Sequence, residues 1–154
     1  MPVVWPVRLG DLSPVAQDYL KAIWSAQEWS SEPATSKMLA VRFGVSASTV
    51  SQYLRRLAAQ GLVEHAPYGS IELSDNGRHL AVAMVRRHRL IEAFLVKALG
   101  YSWDEVHSES EVLEHAVTDR MVERIDRFLG HPERDPHGDP IPRQDGTFVQ
   151  PRLT

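Results

Sequence analysis

The stretch TSKMLAVRFGVSASTVSQYLRRLAAQGLVE (Thr35–Glu64) decides the fold. It reads as two short helices joined at Phe43–Gly44–Val45, with Gly44 supplying the left-handed backbone that a tight turn needs. Ser46 caps the second helix and Gly61 ends it. On that helix Val50, Leu54 and Leu57 fall within about 40° of one another at 100° per residue, with Tyr53 beside them, which makes a core stripe. Ser48, Thr49, Gln52, Arg55 and Arg56 take the opposite face, next to the capping Ser46. Small hydroxyls permit close approach to a major groove, glutamine pairs with adenine, and arginine holds guanine or phosphate. An ordinary solvated face gives the same pattern when this helix is taken alone.

The flanking sequence favours the first alternative. SPVAQDYLKAIWSAQEW reads as a preceding helix, with Ser13 as N-cap and Pro14 at its first position. After the quoted stretch, LVEH, APYGS and IELS read as a two-stranded hairpin turning near Pro67–Gly69. Helix, helix, turn, helix and hairpin is the order of a winged helix-turn-helix, with Tyr68 at the wing tip and Lys37 and Arg42 as phosphate contacts. A long helix then opens at Asp75 or Asn76 and runs to about Leu99, and another runs from Trp103 to about Leu129. The last 24 residues carry five of the ten prolines and no helical period, and read as a tail or linker.

The spacing thus predicts a mainly α chain. A winged DNA-binding domain occupies 1–74, a helical domain 75–130 and a Pro-rich tail 131–154. Residues 1–90 hold 10 Lys+Arg against 7 Asp+Glu, and residues 91–154 hold 7 against 13. The basic half suits a polyanion and the acidic half suits cations. There are no cysteines, which excludes disulfides, thiolate zinc sites and cysteine nucleophiles. No apolar run is long enough to span a membrane and the start lacks the form of a signal peptide, so a cytoplasmic protein is expected.

The acidic half contains HSESEVLEH, His107–His115. His107, Glu111, Glu114 and His115 share one arc of that helix and border its apolar stripe of Val106, Leu113, Val117, Met121 and Phe128. A carboxylate–imidazole cluster beside a core is costly without a cation. On the preceding helix His88 and Glu92 stand one turn apart and form a second wall. On the first helix Asp18 lies beside the apolar stripe, in a position that also suits a surface carboxylate. Oxygen and imidazole donors suit Mn²⁺ first and Fe²⁺ second, while Zn²⁺ or Co²⁺ can occupy such a set in vitro. The stripe from Val106 to Phe128, with Leu90, Phe94 and Leu95, exceeds what the winged domain can cover and predicts a two-fold homodimer.

The motifs DYLKAIW, VSASTVSQYLRRLAAQGLV, LSDNGR, RRHRLIEAFL, WDEVHSESEVLEHAVTD and DPHGDPIP resemble the diphtheria toxin repressor and manganese transport regulator family of metal-dependent transcriptional repressors, over about Leu12 to Pro142. The resemblance implies a dimeric repressor that binds operator DNA when a divalent metal is held, and no enzyme activity. It places His88, Glu92 and His107 at one family metal position, the ancillary one, and Asp18, Glu111, Glu114 and His115 at the metal-sensing one. The iron-responsive branch has methionine and cysteine where Asp18 and Glu111 stand here, so the ligand set resembles the manganese branch. Lys21 stands where that branch has a further glutamate, and His107 is a feature of the iron branch. The SH3-like domain of some members follows a segment like DPHGDPIP and is not expected here. Two other readings fit the same residues: a metalloenzyme whose cation activates water, and a metal-independent winged-helix DNA binder with core histidines.

Overall fold

The computed structural model describes residues 6–65 and 69–148. Two compact units part between Val82 and Ala83.

In the first unit a short 3-10 turn, Leu9–Asp11, leads to helix α1, Pro14–Glu28. The Ser13 hydroxyl accepts from the Ala16 N–H at 3.1 Å, and Pro14 occupies a position whose N–H would have no helical partner. Strand β1, Ala34–Thr35, precedes α2, Ser36–Phe43, whose N-cap is Thr35. Gly44 has φ +64° and turns the chain into α3, Ala47–Ala59. Strands β2, Val63–His65, and β3, Ser70–Leu73, form the hairpin. Val63 pairs with Leu73 and His65 with Ile71.

β1 joins the other edge of β3, through Ala34 and Ile71, so the sheet has the order β1-β3-β2. This third strand was not expected, because two residues carry no alternation. The core is Leu20, Ile23, Leu39, Val50, Leu54, Leu57, Leu62 and Ile71, all buried. Tyr19 stacks on Phe43 with centroids 4.6 Å apart.

Helix α4, Asp75–Leu99, matches its expected span and runs past the division. In the second unit it is followed by α5, Trp103–Leu113, and α6, Asp119–Phe128. The single helix expected from Trp103 to Leu129 is therefore two. The break follows from Thr118, whose hydroxyl accepts from the Met121 N–H at 3.2 Å and starts a new helix. Leu90, Ile91, Leu95, Val106, Val117, Val122, Ile125 and Ile141 form the second core.

Ile141 lies in the segment expected to be a tail or linker. That segment instead has a defined structure as far as it is described. Asp135 Oδ1 accepts from the backbone N–H groups of His137, at 2.9 Å, and Asp139, at 2.8 Å. Arg89 of α4 donates to the Pro140 carbonyl at 2.7 Å. Among the described residues, no helix is long and apolar enough to cross a membrane.

Candidate metal centre and nucleic-acid interface

Glu92 is the hub of the second unit's polar cluster. It lies on a stretch of α4 where Ile91, Ala93 and Leu95 are buried as well, and its side chain is 2% exposed. Three imidazoles surround it. His88, one turn earlier on α4, brings Nε2 to 2.6 Å from Oε1. His107 on α5 brings Nδ1 to 3.2 Å from the same oxygen. His137, in the loop built on Asp135, brings Nδ1 to 3.0 Å from Oε2. Burial pushes the Glu92 carboxyl up, but the His88 hydrogen bond and charge, the His107 hydrogen bond and the His137 charge outweigh it and hold it at about 2.

The cluster continues on both sides. His107 Nε2 stands 3.0 Å from Glu111 Oε1, and His88 Nδ1 stands 3.4 Å from Glu114 Oε2. The four candidates on and after α5 do not share one environment. His107 is largely exposed, at 63%, and Glu111 half-exposed, at 48%, whereas the Glu114 side chain is wholly buried. α5 ends at Leu113, so Glu114 caps it and His115 lies in the turn beyond, half-buried. Asp18, half-buried on α1, belongs to the first unit.

Sequence reasoning missed Asp135 and His137. Asp135 is buried, and burial, the largest influence, raises its carboxyl above the ordinary range. Its Oδ2 lies 4.0 Å from His137 Nδ1, and Trp103 packs edge-on against the His137 ring with centroids 4.4 Å apart. The spacing Asp-Pro-His was a signal, since an aspartate folding its own turn fixes the histidine two residues on.

The donor chemistry fits a hard or borderline divalent cation. Ligand atoms of His88, Glu92 and His107 can lie within 4.8 Å of one another, as can those of Glu92, Asp135 and His137. The donors are carboxylate oxygen and imidazole nitrogen, with no thiolate in the chain.

On the first unit, Ser48, Gln52 and Arg55 are exposed and lie on one face of α3. Ser46 is spent on the cap: its hydroxyl accepts from the Thr49 N–H at 3.2 Å and bonds the Ser48 and Thr49 hydroxyls at 3.0 Å each. Thr49 is half-buried. Arg56 is also exposed on α3, with its guanidinium over the Tyr53 ring, 5.6 Å from the centroid. Lys37 and Arg42 are exposed on α2. Tyr68 lies outside the described residues.

Two family models match the chain. Residues 11–71 match the iron dependent repressor N-terminal DNA binding domain, and residues 74–143 match the iron dependent repressor metal binding and dimerisation domain. The chain belongs to the iron-dependent repressor family. A solved manganese-dependent transcriptional repressor in complex with manganese is 64% identical, with a TM-score of 0.83, and the match covers 89% of this chain and 63% of that one. ScaR with bound Zn²⁺ is 38% identical, with a TM-score of 0.78, over 87% of this chain and 62% of that one. The iron-dependent repressor IdeR of Mycobacterium tuberculosis (strain ATCC 25618 / H37Rv) is 35% identical over 134 residues, 87% of this chain and 58% of that protein. The chain thus spans less than two thirds of the length of these family members.

Proposed function

We propose that this chain is a cytoplasmic transcriptional repressor that binds operator DNA as a homodimer when it holds a divalent cation, with Mn²⁺ as the physiological ion. The observation that carries the reading is the buried Glu92 among His88, His107 and His137, in a chain whose other unit presents Ser48, Gln52 and Arg55 on one open helix face. The family relationship supports the same assignment. Residues 1–74 are the DNA-binding domain and 75–130 the dimerisation and metal-binding domain, with residues of the following segment contributing His137.

Mn²⁺ is placed before Fe²⁺ because each proposed ligand is a carboxylate or an imidazole and none is a thiolate or thioether; Fe²⁺ and Zn²⁺ bind such donors at least as tightly, so selection rests on coordination number and geometry. His88, Glu92 and His107 make up one ligand set, and Asp135 and His137 extend it. Glu111, Glu114 and His115 belong to the other. The place of Asp18 in that second set rests on the sequence resemblance. A bound divalent cation supplies positive charge, so that these carboxylates stay ionised side by side. The protein's own part is to hold the donors: α4 fixes His88 and Glu92 one turn apart, and α5 presents His107 and Glu111 one turn apart.

The homodimer uses α4 and α6. Phe128 and Met121 are exposed on α6, and Phe94 meets Phe128 edge-on with centroids 6.0 Å apart. Such an apolar surface suits a second copy. A two-fold dimer presents two α3 helices to half-sites one or more helical turns apart, and cation binding favours the arrangement that fits them. The coupling is reciprocal, so operator DNA tightens cation binding by the same factor.

The test is selection of duplex DNA from a random pool in Mn²⁺, in Fe²⁺ under anaerobic conditions, in Zn²⁺ and in chelator. A palindromic site enriched with Mn²⁺ and not with chelator is the expected result. Equal enrichment in chelator would replace the reading with a metal-independent DNA binder.

A further inference from the structure

The residue that stands out on α5 is Ser110, which no metal ligand set includes. Its side chain is fully buried, and its hydroxyl has no hydrogen-bond partner. Buried hydroxyls nearly always have one. A serine inside a helix ordinarily bonds the carbonyl one turn back. Ser108, two residues earlier and exposed, bonds the Glu105 carbonyl at 3.2 Å. Ser110 makes no such bond, although solvent offers it no alternative.

Ser110 and Glu114 occupy successive turns of one face. The Glu114 N–H donates to the Ser110 carbonyl at 2.9 Å, and Glu114 keeps helical backbone angles of φ −59° and ψ −26°. Cα–Cβ bonds in a helix tilt toward its N-terminus, so the Glu114 side chain leans back over the turn that carries Ser110. Glu114 is itself wholly buried.

We propose that Ser110 is a positioning residue for Glu114: its hydroxyl donates to the Glu114 carboxylate once one carboxylate oxygen is committed to a cation, and so fixes the orientation of that ligand. The proposal rests on the assignment of Glu114 as a ligand. A ligating carboxylate is itself held by hydrogen bonds from the surrounding shell, and loss of such a bond weakens metal binding by about 10- to 100-fold. In the metal-free chain the hydroxyl does nothing for stability, which separates this role from a structural one.

The experiment compares wild type, Ser110→Ala and Ser110→Thr, each stripped with chelator. Thermal melting is measured without metal, and Mn²⁺ binding is measured directly by titration followed by electron paramagnetic resonance. Ser110→Ala is expected to melt at or above the wild-type temperature without metal, yet to bind Mn²⁺ at least about tenfold more weakly. Ser110→Thr, which restores the hydroxyl, is expected to regain most of that affinity. Unchanged Mn²⁺ affinity in Ser110→Ala overturns the proposal and leaves the metal reading intact. A metal-free Ser110→Ala that melts well below wild type, or fails to fold, also overturns it, because the hydroxyl would then be partnered without metal. A wild-type chain that binds no Mn²⁺ overturns the metal reading itself.

Discussion

Glu92→Gln removes one charge from the centre of the cluster and keeps the shape of the side chain. In the unfolded chain this carboxyl titrates at its ordinary 4.5, and in the folded chain at about 2. A depressed folded value means that ionised Glu92 contributes stability that is fully present above pH 4.5 and is lost as pH falls toward 2. The gap is worth about 3 kcal/mol at pH 5.5 and about half of that by pH 3. The mutant lacks this contribution at every pH. For a chain of this size, about 3 kcal/mol corresponds to about 6–12 °C in melting temperature.

The assay is thermal melting of chelator-treated wild type and Glu92→Gln between pH 3 and pH 5.5, with free imidazole protonated throughout. The wild type should melt higher at pH 5.5, and its advantage should shrink by half or more at pH 3. In parallel, at neutral pH, Mn²⁺ at 100 times the dissociation constant of the Glu92 site should stabilise the wild type by about 2.7 kcal/mol through that site, a contribution the mutant lacks while the second ligand set still responds. A difference between the two proteins that stays constant from pH 3 to pH 5.5 would refute the reasoning, because lost packing has no such pH dependence. Equal stabilisation of both by Mn²⁺ would remove Glu92 from the ligand set.

Four further outcomes follow from the geometry. Gly77→Ala places a Cβ against the Leu62 carbonyl and should cost at least about 1–3 kcal/mol in a urea melt, while Gly10→Ala, with open space around it, should cost far less. Gln52→Ala should relax preference at one operator base by about 1–3 kcal/mol in a binding-site selection, whereas Arg55→Ala should weaken all sequences alike and flatten the salt dependence of binding. Phe128→Asp should shift the sedimentation coefficient toward that of a monomer at micromolar concentration, because Phe128 is 71% exposed on the proposed dimer face. Glu111→Ala should keep the metal-free melting temperature within a few degrees, since Glu111 is half-exposed, yet abolish Mn²⁺-activated DNA binding; activation at wild-type Mn²⁺ concentrations would remove Glu111 from the site.

The helices of the first unit were legible because their ends are written in local chemistry. Ser13, Thr35 and Ser46 each accept from an N–H three residues on, and Gly44 takes the left-handed conformation that ends α2. Such signals act over four residues and need no tertiary information. The break between α5 and α6 was hidden by a different effect. Leu113, Val117 and Met121 keep helical spacing across it, so the apolar period runs on while the helix stops. Thr118 followed by Asp119 was the available sign of a new N-terminus. Strand β1 had none, because its pairing to Ile71 and Ser70 depends on residues more than thirty positions away.

The candidate metal site was half legible for a reason that lies in Glu92 itself. Its two carboxylate oxygens face different kinds of structure. Oε1 meets His88 and His107, which stand on helices, and a periodicity of 3.6 residues brings such positions to light from sequence. Oε2 meets His137, which stands on a loop without period. Composition read that loop as a tail because proline cannot continue a helix or donate a hydrogen bond. Yet Asp135 satisfies two of the loop's N–H groups, Arg89 binds its Pro140 carbonyl, and Ile141 anchors it in the core. Each bond crosses from side chain to backbone, so none leaves a repeating pattern in the sequence. A Pro-rich stretch is therefore a prediction of non-helical backbone only. Whether it is ordered depends on side chains such as Asp135 that supply the hydrogen bonds a helix would otherwise have made, and here that order brings His137 to the oxygen that the helical candidates leave to it.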